Sequence, residues 1–191
     1  DVLGAGTDWA NKILYNDKIR NDLAEFINDS NKFALGVCNG CQMLSQLREI
    51  IPGTEHWPKF VRNTSNQFEA RLSRVKINKT NSIFFKDMEG SILPIIVSHG
   101  EGKAIFSNNK FSETAIINYV DESNKVSMKY PFNPNGSIDG SNGFTNNDGR
   151  ITILMPHPER LYEISQYSYK SADSKISPWM KFFINAREWL K

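Results

Sequence analysis

Apolar positions at helical spacing open the chain. Trp9, Ile13 and Leu14, then Ile19, Leu23, Phe26 and Ile27, recur every three or four residues. The pattern predicts one amphipathic helix, or two broken near Asn16-Asp17. Residues 1–6 carry two glycines and read as a loop. Lys32-Phe-Ala-Leu-Gly-Val37 is a short apolar run, expected to be a buried strand. Cys38-Asn39-Gly40 interrupts it, and Cys41, Met43, Leu44 and Leu47 resume helical spacing. Strand, sharp turn and helix is therefore the local reading around Cys38.

Residues 50–66 read as loop, punctuated by Pro52-Gly53 and Pro58. Phe68, Ala70 and Leu72, then Val75 and Ile77, alternate and predict a strand. Further strands are expected at 93–97, 115–120 and 151–155, the last stopped by Pro156. Residues 131–149, rich in Asn, Gly, Pro and Ser, read as one long loop. Ser177-Pro178 has the form of an N-cap followed by proline at the first helical position. Trp179, Phe182, Phe183, Ala186, Trp189 and Leu190 then make an apolar helical stripe. Strands interleaved with helices predict an α/β domain, a mostly parallel sheet flanked by helices. In such sheets the C-terminal end of a central strand carries the site, which is where Cys38 is expected.

Composition narrows the function classes. At 191 residues the chain suits one domain. Hydrophobic residues make up 39% and aromatics 12%, as in globular proteins. Lys+Arg number 23 against 21 Asp+Glu, and no basic block marks a nucleic-acid footprint. No apolar run approaches the roughly 20 residues of a membrane span, and no signal peptide opens the chain. Two cysteines, Cys38 and Cys41, do not make a secreted disulfide framework. The expected setting is reducing and cytoplasmic.

Candidate chemistry centres on Cys38. A free thiol titrates near 8.5 and needs activation. Gly36-Val-Cys38-Asn-Gly40 has the form of a nucleophile elbow, in which small residues relieve crowding around a strained strand-to-helix turn. The helix N-terminus favours a thiolate. A base must come from three histidines. His157 lies in Met155-Pro-His-Pro-Glu-Arg160, where flanking prolines are expected to hold the chain extended. Glu159 at i+2 can then reach the imidazole and orient it. His99, in Ser98-His-Gly-Glu-Gly102, is the rival base. His56 has no such context and reads as structural. Cys38-Asn-Gly-Cys41 also fits a redox dithiol, or half of a zinc site, but neither accounts for Pro-His-Pro-Glu.

Gly36-Val-Cys38-Asn-Gly40-Cys-Gln42 together with His157-Pro-Glu159 resembles the class I glutamine amidotransferases, whose fold is flavodoxin-like. Other stretches resemble the glutaminase domains of the phosphoribosylformylglycinamidine synthase family. They are Asp1-Val-Leu-Gly-Ala-Gly6, Phe60-Val-Arg-Asn-Thr-Ser65, Phe68-Glu-Ala-Arg71, Val97-Ser-His-Gly-Glu-Gly102, Tyr130-Pro131 with Asn133-Pro-Asn-Gly136, Ser177-Pro-Trp-Met180 and Asn185-Ala-Arg187. Cys41 and Ser177-Pro-Trp-Met180 resemble its large single-chain form.

That resemblance implies one glutaminase domain over residues 1–191, the C-terminal part of a much longer enzyme. Its partners are L-glutamine and a synthetase domain of the same polypeptide, where ATP and Mg²⁺ act. No cofactor and no metal are expected in the domain itself. By the family pattern Cys38 attacks the glutamine amide, His157 moves the proton and Glu159 orients His157. Asn39 gives an oxyanion N–H, Gln42 contacts glutamine, and Ser98, Gly100 and Glu101 hold its amino-acid end. In the family a stretch Gly-Gly-Phe-Ser-Tyr-Gly precedes Asp-Val-Leu-Gly and supplies a second oxyanion donor. That stretch and the first strands are absent here, so the domain reads as N-terminally incomplete and inactive in isolation. The alternatives are an amidotransferase domain serving another substrate and a catalytically silent docking domain.

Overall fold

In the computed structural model, which describes residues 2–168 and 175–191, the opening periodicity resolves into two helices. Helix α1 spans Ala5–Leu14 and α2 spans Asp17–Asn28. The break falls at Asn16, whose side chain accepts the Ile19 N–H at 3.1 Å and caps α2. Of the expected opening loop, Asp1 lies outside the described residues; the rest ends at Gly4, left-handed at φ 79°. The apolar run condenses to strand β1, Ala34–Val37, and α3 follows over Asn39–Gln46.

The remaining strands are β2 (Lys59–Val61), β3 (Glu69–Ile77), β4 (Ile92–His99), β5 (Lys103–Ile105), β6 (Ile117–Tyr119), β7 (Ser141–Thr145) and β8 (Ile151–Leu154). Helix α4, Met180–Trp189, is the last element. Six strands form one sheet in the order β1-β8-β7-β6-β3-β4, and β2 pairs with β5 apart from it. The α/β class is as expected, with helices on both faces. One face buries Ala10, Ile27, Cys41, Leu44 and Leu47 against Ile151 and Ile153. The other buries Phe84, Trp179 and Phe182 against Val75, Ile77, Val97 and Leu154. Leu154 and Ile153 face opposite cores, as the period of two requires.

The sheet is not mostly parallel. Only β1 and β8 run parallel; the other four pairings are antiparallel. A parallel pair needs a long crossover, usually helical. Between β2 and β8 the described connections contain only 3₁₀ turns, which return the chain antiparallel. β1 pairs on one side only, so Cys38 ends an outer strand of this sheet, not a central one. The preceding helices α1 and α2 contribute no strand beside it.

Three further expectations are corrected. Residues 50–66 are not all loop, since β2 lies within them. Residues 131–149 are not all loop, since β7 lies within them and is buried throughout. Its polar side chains are occupied locally: Ser141 Oγ donates to the Ile138 carbonyl, Asn142 Nδ2 to Gly140 and Thr145 Oγ1 to Ile151. At Gly143 a Cβ would stand 2.6 Å from a Leu154 methyl, so tight packing overrides weak strand propensity. In β3 the phase set by Phe68 and Leu72 is the exposed one, while Glu69, Ser73, Val75 and Ile77 point inward. The C-terminal stripe holds, with Phe182 ringed by Phe84, Phe85, Trp179 and Phe183. Ser177 Oγ accepts the Trp179 N–H at its start. No described helix is long and apolar enough to cross a membrane.

Gly36 and Gly40 separate cleanly. A Cβ on Gly36 would meet the Gly40 carbonyl oxygen at 2.6 Å and Leu44 Cδ1 at 2.8 Å, whereas one on Gly40 meets nothing within 4 Å. Crowding at the elbow is thus relieved by the first glycine. Gly36→Ala is expected to cost about 1–3 kcal/mol through overpacking. Gly40→Ala should be neutral or gain up to about 1 kcal/mol of helix propensity. Urea unfolding midpoints of the two variants check this, and equal losses would contradict it.

Candidate active site

The chain turns from β1 into α3 at Cys38 through φ 54°, ψ −111°, a conformation disfavoured for any residue with a Cβ. Two backbone bonds hold it there. The Cys38 N–H donates to the Leu154 carbonyl at 3.0 Å, and the Cys38 carbonyl accepts the Gln42 N–H at 3.0 Å. The side chain is 5% exposed. Its sulfur lies 3.7 Å from the Ser98 carbonyl and 3.9 Å from Asn39 Oδ1. Burial pushes the thiol above its ordinary pKa, while the Asn39 N–H directed at it and the charge of Arg160 oppose the rise.

His157 arrives by a different route. Its N–H donates to the Ile96 carbonyl at 2.9 Å, an antiparallel bridge that joins the end of β8 to β4. The sheet is thereby curled, and its far strand returns to the Cys38 thiol. His157 is extended at φ −107°, ψ 90°, but the chain then turns, and Pro158–Arg160 forms a 3₁₀ turn. Glu159 therefore reaches the ring through this turn, not by strand alternation; proline at the start of a turn is well placed to begin it. Glu159 Oε1 accepts from His157 Nδ1 at 2.6 Å. Burial raises the Glu159 carboxyl, but the bond and charge of His157, with Arg160 behind, outweigh it and leave it below its usual value. With Nδ1 committed, Nε2 of His157 is buried and makes no hydrogen bond. The charges of Glu159 and Arg160 both act on the Cys38 thiol.

His99 differs from His157. It is fully buried, with both ring nitrogens unpartnered. The ring lies on Gly102, where a Cβ would stand 2.2 Å from Cε1. Burial, with the charge of His157 adding, lowers its pKa to about 3. It is a neutral core group with no carboxylate to orient it. His56 bonds the Thr145 carbonyl through Nε2 at 3.0 Å, in keeping with a structural role.

Of the expected glutamine-binding residues, Ser98 sets its carbonyl beside the thiol and Gln42 bonds to Glu101. Gln42 is buried, and its Nε2 donates to the Glu101 carbonyl at 2.8 Å. The Gly100 carbonyl accepts the Asn63 N–H at 2.9 Å. Asn63 was not singled out in the sequence. Its Nδ2 donates to the His99 and Gln67 carbonyls and its Oδ1 accepts the Gly102 N–H, so one buried amide holds the whole 98–102 loop. A buried Asn inside the Phe60–Ser65 motif was the only signal of it. Tyr119, fully buried with an unpartnered hydroxyl, also lies within electrostatic reach of Cys38 and Cys41. Cys41 is a free thiol in the core, raised well above its ordinary pKa by burial. Among the described residues no three His, Cys, Asp or Glu side chains gather as a metal site.

A sequence model of the CobB/CobQ-like glutamine amidotransferase domain matches residues 1–190. The chain belongs to this family. Among solved structures, this amidotransferase domain is similar to PurLQS from Thermotoga maritima, with 22% identity and a TM-score of 0.68 over 98% of this chain and 72% of that one. It is also similar to a putative GMP synthase protein from Thermoplasma acidophilum, with 13% identity and a TM-score of 0.50 over 95% and 67% of the two chains. At these identities the likeness is one of fold.

The amidotransferase site makes two measurable predictions. Brief alkylation should modify Cys38 and leave Cys41 unmodified until the protein unfolds, because Cys41 is 0% exposed and has no polar neighbour to favour its thiolate. Peptide mass spectrometry reads this, and equal labelling would contradict it. The second concerns His99. Unfolded, it binds a proton below about 6.5; folded, it does not until about 3. Stability should therefore fall as pH drops from 6.5 toward 3, with a slope of at most about 1.4 kcal/mol per pH unit from this group. His99→Asn should flatten the profile in that window. An unchanged slope would show that His99 is not buried as the neutral base.

Proposed function

We propose that this amidotransferase domain is a glutaminase that hydrolyses L-glutamine through Cys38, His157 and Glu159. The observation that carries the reading is the commitment of His157. Its Nδ1 is held by Glu159 and its buried Nε2 is left unpartnered, and the charge of Glu159 acts on a cysteine held in a strained turn at a helix N-terminus. In the proposed reaction His157 Nε2 takes the thiol proton and the sulfur bonds to the amide carbon. The Asn39 N–H donates to the developing oxyanion. His157 then delivers the proton to nitrogen, the C–N bond breaks and ammonia leaves a glutamyl thioester. Water, deprotonated by His157, then attacks the thioester carbon; the C–S bond breaks, the proton passes from His157 to the Cys38 sulfur and glutamate leaves. In the structure the thiol turns to the Ser98 carbonyl and makes no hydrogen bond to the imidazole. Such bonds commonly tighten only when substrate is bound.

The fold likeness to PurLQS, together with the motifs shared with the phosphoribosylformylglycinamidine synthase family, supports the finer reading. The ammonia would serve an ATP- and Mg²⁺-dependent synthetase domain of the same polypeptide, which converts formylglycinamide ribonucleotide to formylglycinamidine ribonucleotide in purine biosynthesis.

The test is glutamate release from glutamine by the full-length protein. Cys38→Ala should abolish it while leaving ammonia-dependent synthesis intact. His157→Ala should lower kcat by about 10²–10⁴, the usual worth of a positioned acid–base group. Glutamate release that survives Cys38→Ala would overturn the proposal.

A further inference from the structure

Two walls border the Cys38 thiol. One is the loop 98–102 that follows β4, whose Ser98 carbonyl lies 3.7 Å from the sulfur. The other is the segment Val2–Gly4 that enters α1. The side chain of Asn39 spans thiol and segment: Oδ1 is 3.9 Å from the sulfur, and Nδ2 donates to the Val2 carbonyl at 3.5 Å.

Glu101 joins the walls. Its Oε2 accepts the Gly4 N–H at 2.9 Å, across 97 residues of chain. Its main-chain carbonyl accepts Gln42 Nε2 at 2.8 Å, from α3 one turn beyond Cys38. Gly6 in turn packs on Gln42, where a Cβ would stand 2.4 Å from the Gln42 Cβ. Gly4 is the N-cap of α1 and has no side chain to cap the helix. The Glu101 carboxylate accepts the N–H of the N-cap itself, as the N3 glutamate of a capping box does, near the end of the dipole that favours an anion and through a charge-assisted bond.

We propose that Glu101 is a positioning residue. Its carboxylate clasps the segment entering α1 to the 98–102 loop and so sets the width of the cleft over Cys38; it does not pair with the ammonium of the substrate. The proposal rests on the glutaminase reading of the site, but the clasp is measurable without it. Glu101→Gln keeps an acceptor oxygen for the Gly4 N–H and loses the charge, whereas Glu101→Ala loses both.

Hydrogen exchange at the Gly4 amide and glutamine kinetics are measured on the full-length protein and both variants. In Glu101→Ala the Gly4 amide should exchange about ten- to a hundredfold faster, as expected for losing a bond to a charged acceptor, and kcat should fall. Glu101→Gln should restore slow exchange and recover most of the kcat that Glu101→Ala loses. If both variants raise KM alike while Gly4 exchange is unchanged, Glu101 binds substrate and the clasp is wrong. If the native protein releases no glutamate, the proposed function fails. The exchange rates then decide the clasp alone, and unchanged exchange in Glu101→Ala overturns it.

Discussion

Everything at the site hangs on one backbone conformation, the turn at Cys38. Its positive φ is costly, and such strain persists only where the surroundings over-determine it. Here they do. β1 is locked to β8 by parallel pairing from Ala34 to Val37, and the next N–H, that of Cys38, still bonds to Leu154. Gly36 lets the first turn of α3 fold back against the strand with no Cβ between them. The chain therefore has to leave the strand at residue 38 and start a helix at once. The side chain is placed over the strand ends, with the Asn39 N–H beside the sulfur.

Curling of the sheet brings the partners in. β4 is four strands away from β8 in the sheet order, yet its edge bonds His157 and its end meets the thiol. An antiparallel sheet reaches this closure because each hairpin adds its right-handed twist to the last. The site then draws on the turn from β1 into α3, on the 98–102 loop, which meets the thiol, and on the turn after β8, whose charges act on it. Asn63 and Glu101 secure its loops with bonds between segments far apart in sequence.

What was legible in the sequence was what depends on local chemistry. The strand-to-helix elbow at Cys38 and the break at Asn16 act within a few residues and appear where they were expected; Pro-His-Pro-Glu gives the expected His157–Glu159 contact, but through a 3₁₀ turn and not an extended chain. Strand direction was not legible, because it depends on whether connections carry crossover helices, and the 3₁₀ turns that replaced them leave little periodic trace. β7 was hidden because Ser141, Asn142 and Gly143 have turn chemistry, and only burial between β6 and β8 makes a strand of them. The contact of Glu101 with Gly4 was hidden for the same reason. Nothing local in His-Gly-Glu-Gly reveals a partner 97 residues away.

Charge separates the two strand-end histidines and favours His157 as the base of the proposed reaction. Both have a glutamate two residues on, and the sequence alone left them rivals. The backbone separates them. After His157 the 3₁₀ turn swings Glu159 back onto Nδ1. After His99 the glycine-flanked loop sends the Glu101 carboxylate away to Gly4. An imidazole that must accept a proton in a buried cleft needs a fixed anion to stabilise its cation, and burial without one drives it neutral. His99, with its pKa lowered to about 3, is held as the uncharged ring on which Gly102 packs. His157 keeps its carboxylate and a free nitrogen, and Glu159 stays ionised despite burial because His157 and Arg160 hold its carboxyl below the usual range. A thiol raised by desolvation gives up its proton only to a base whose cation is stabilised, and in this cleft His157 meets that condition where His99 does not.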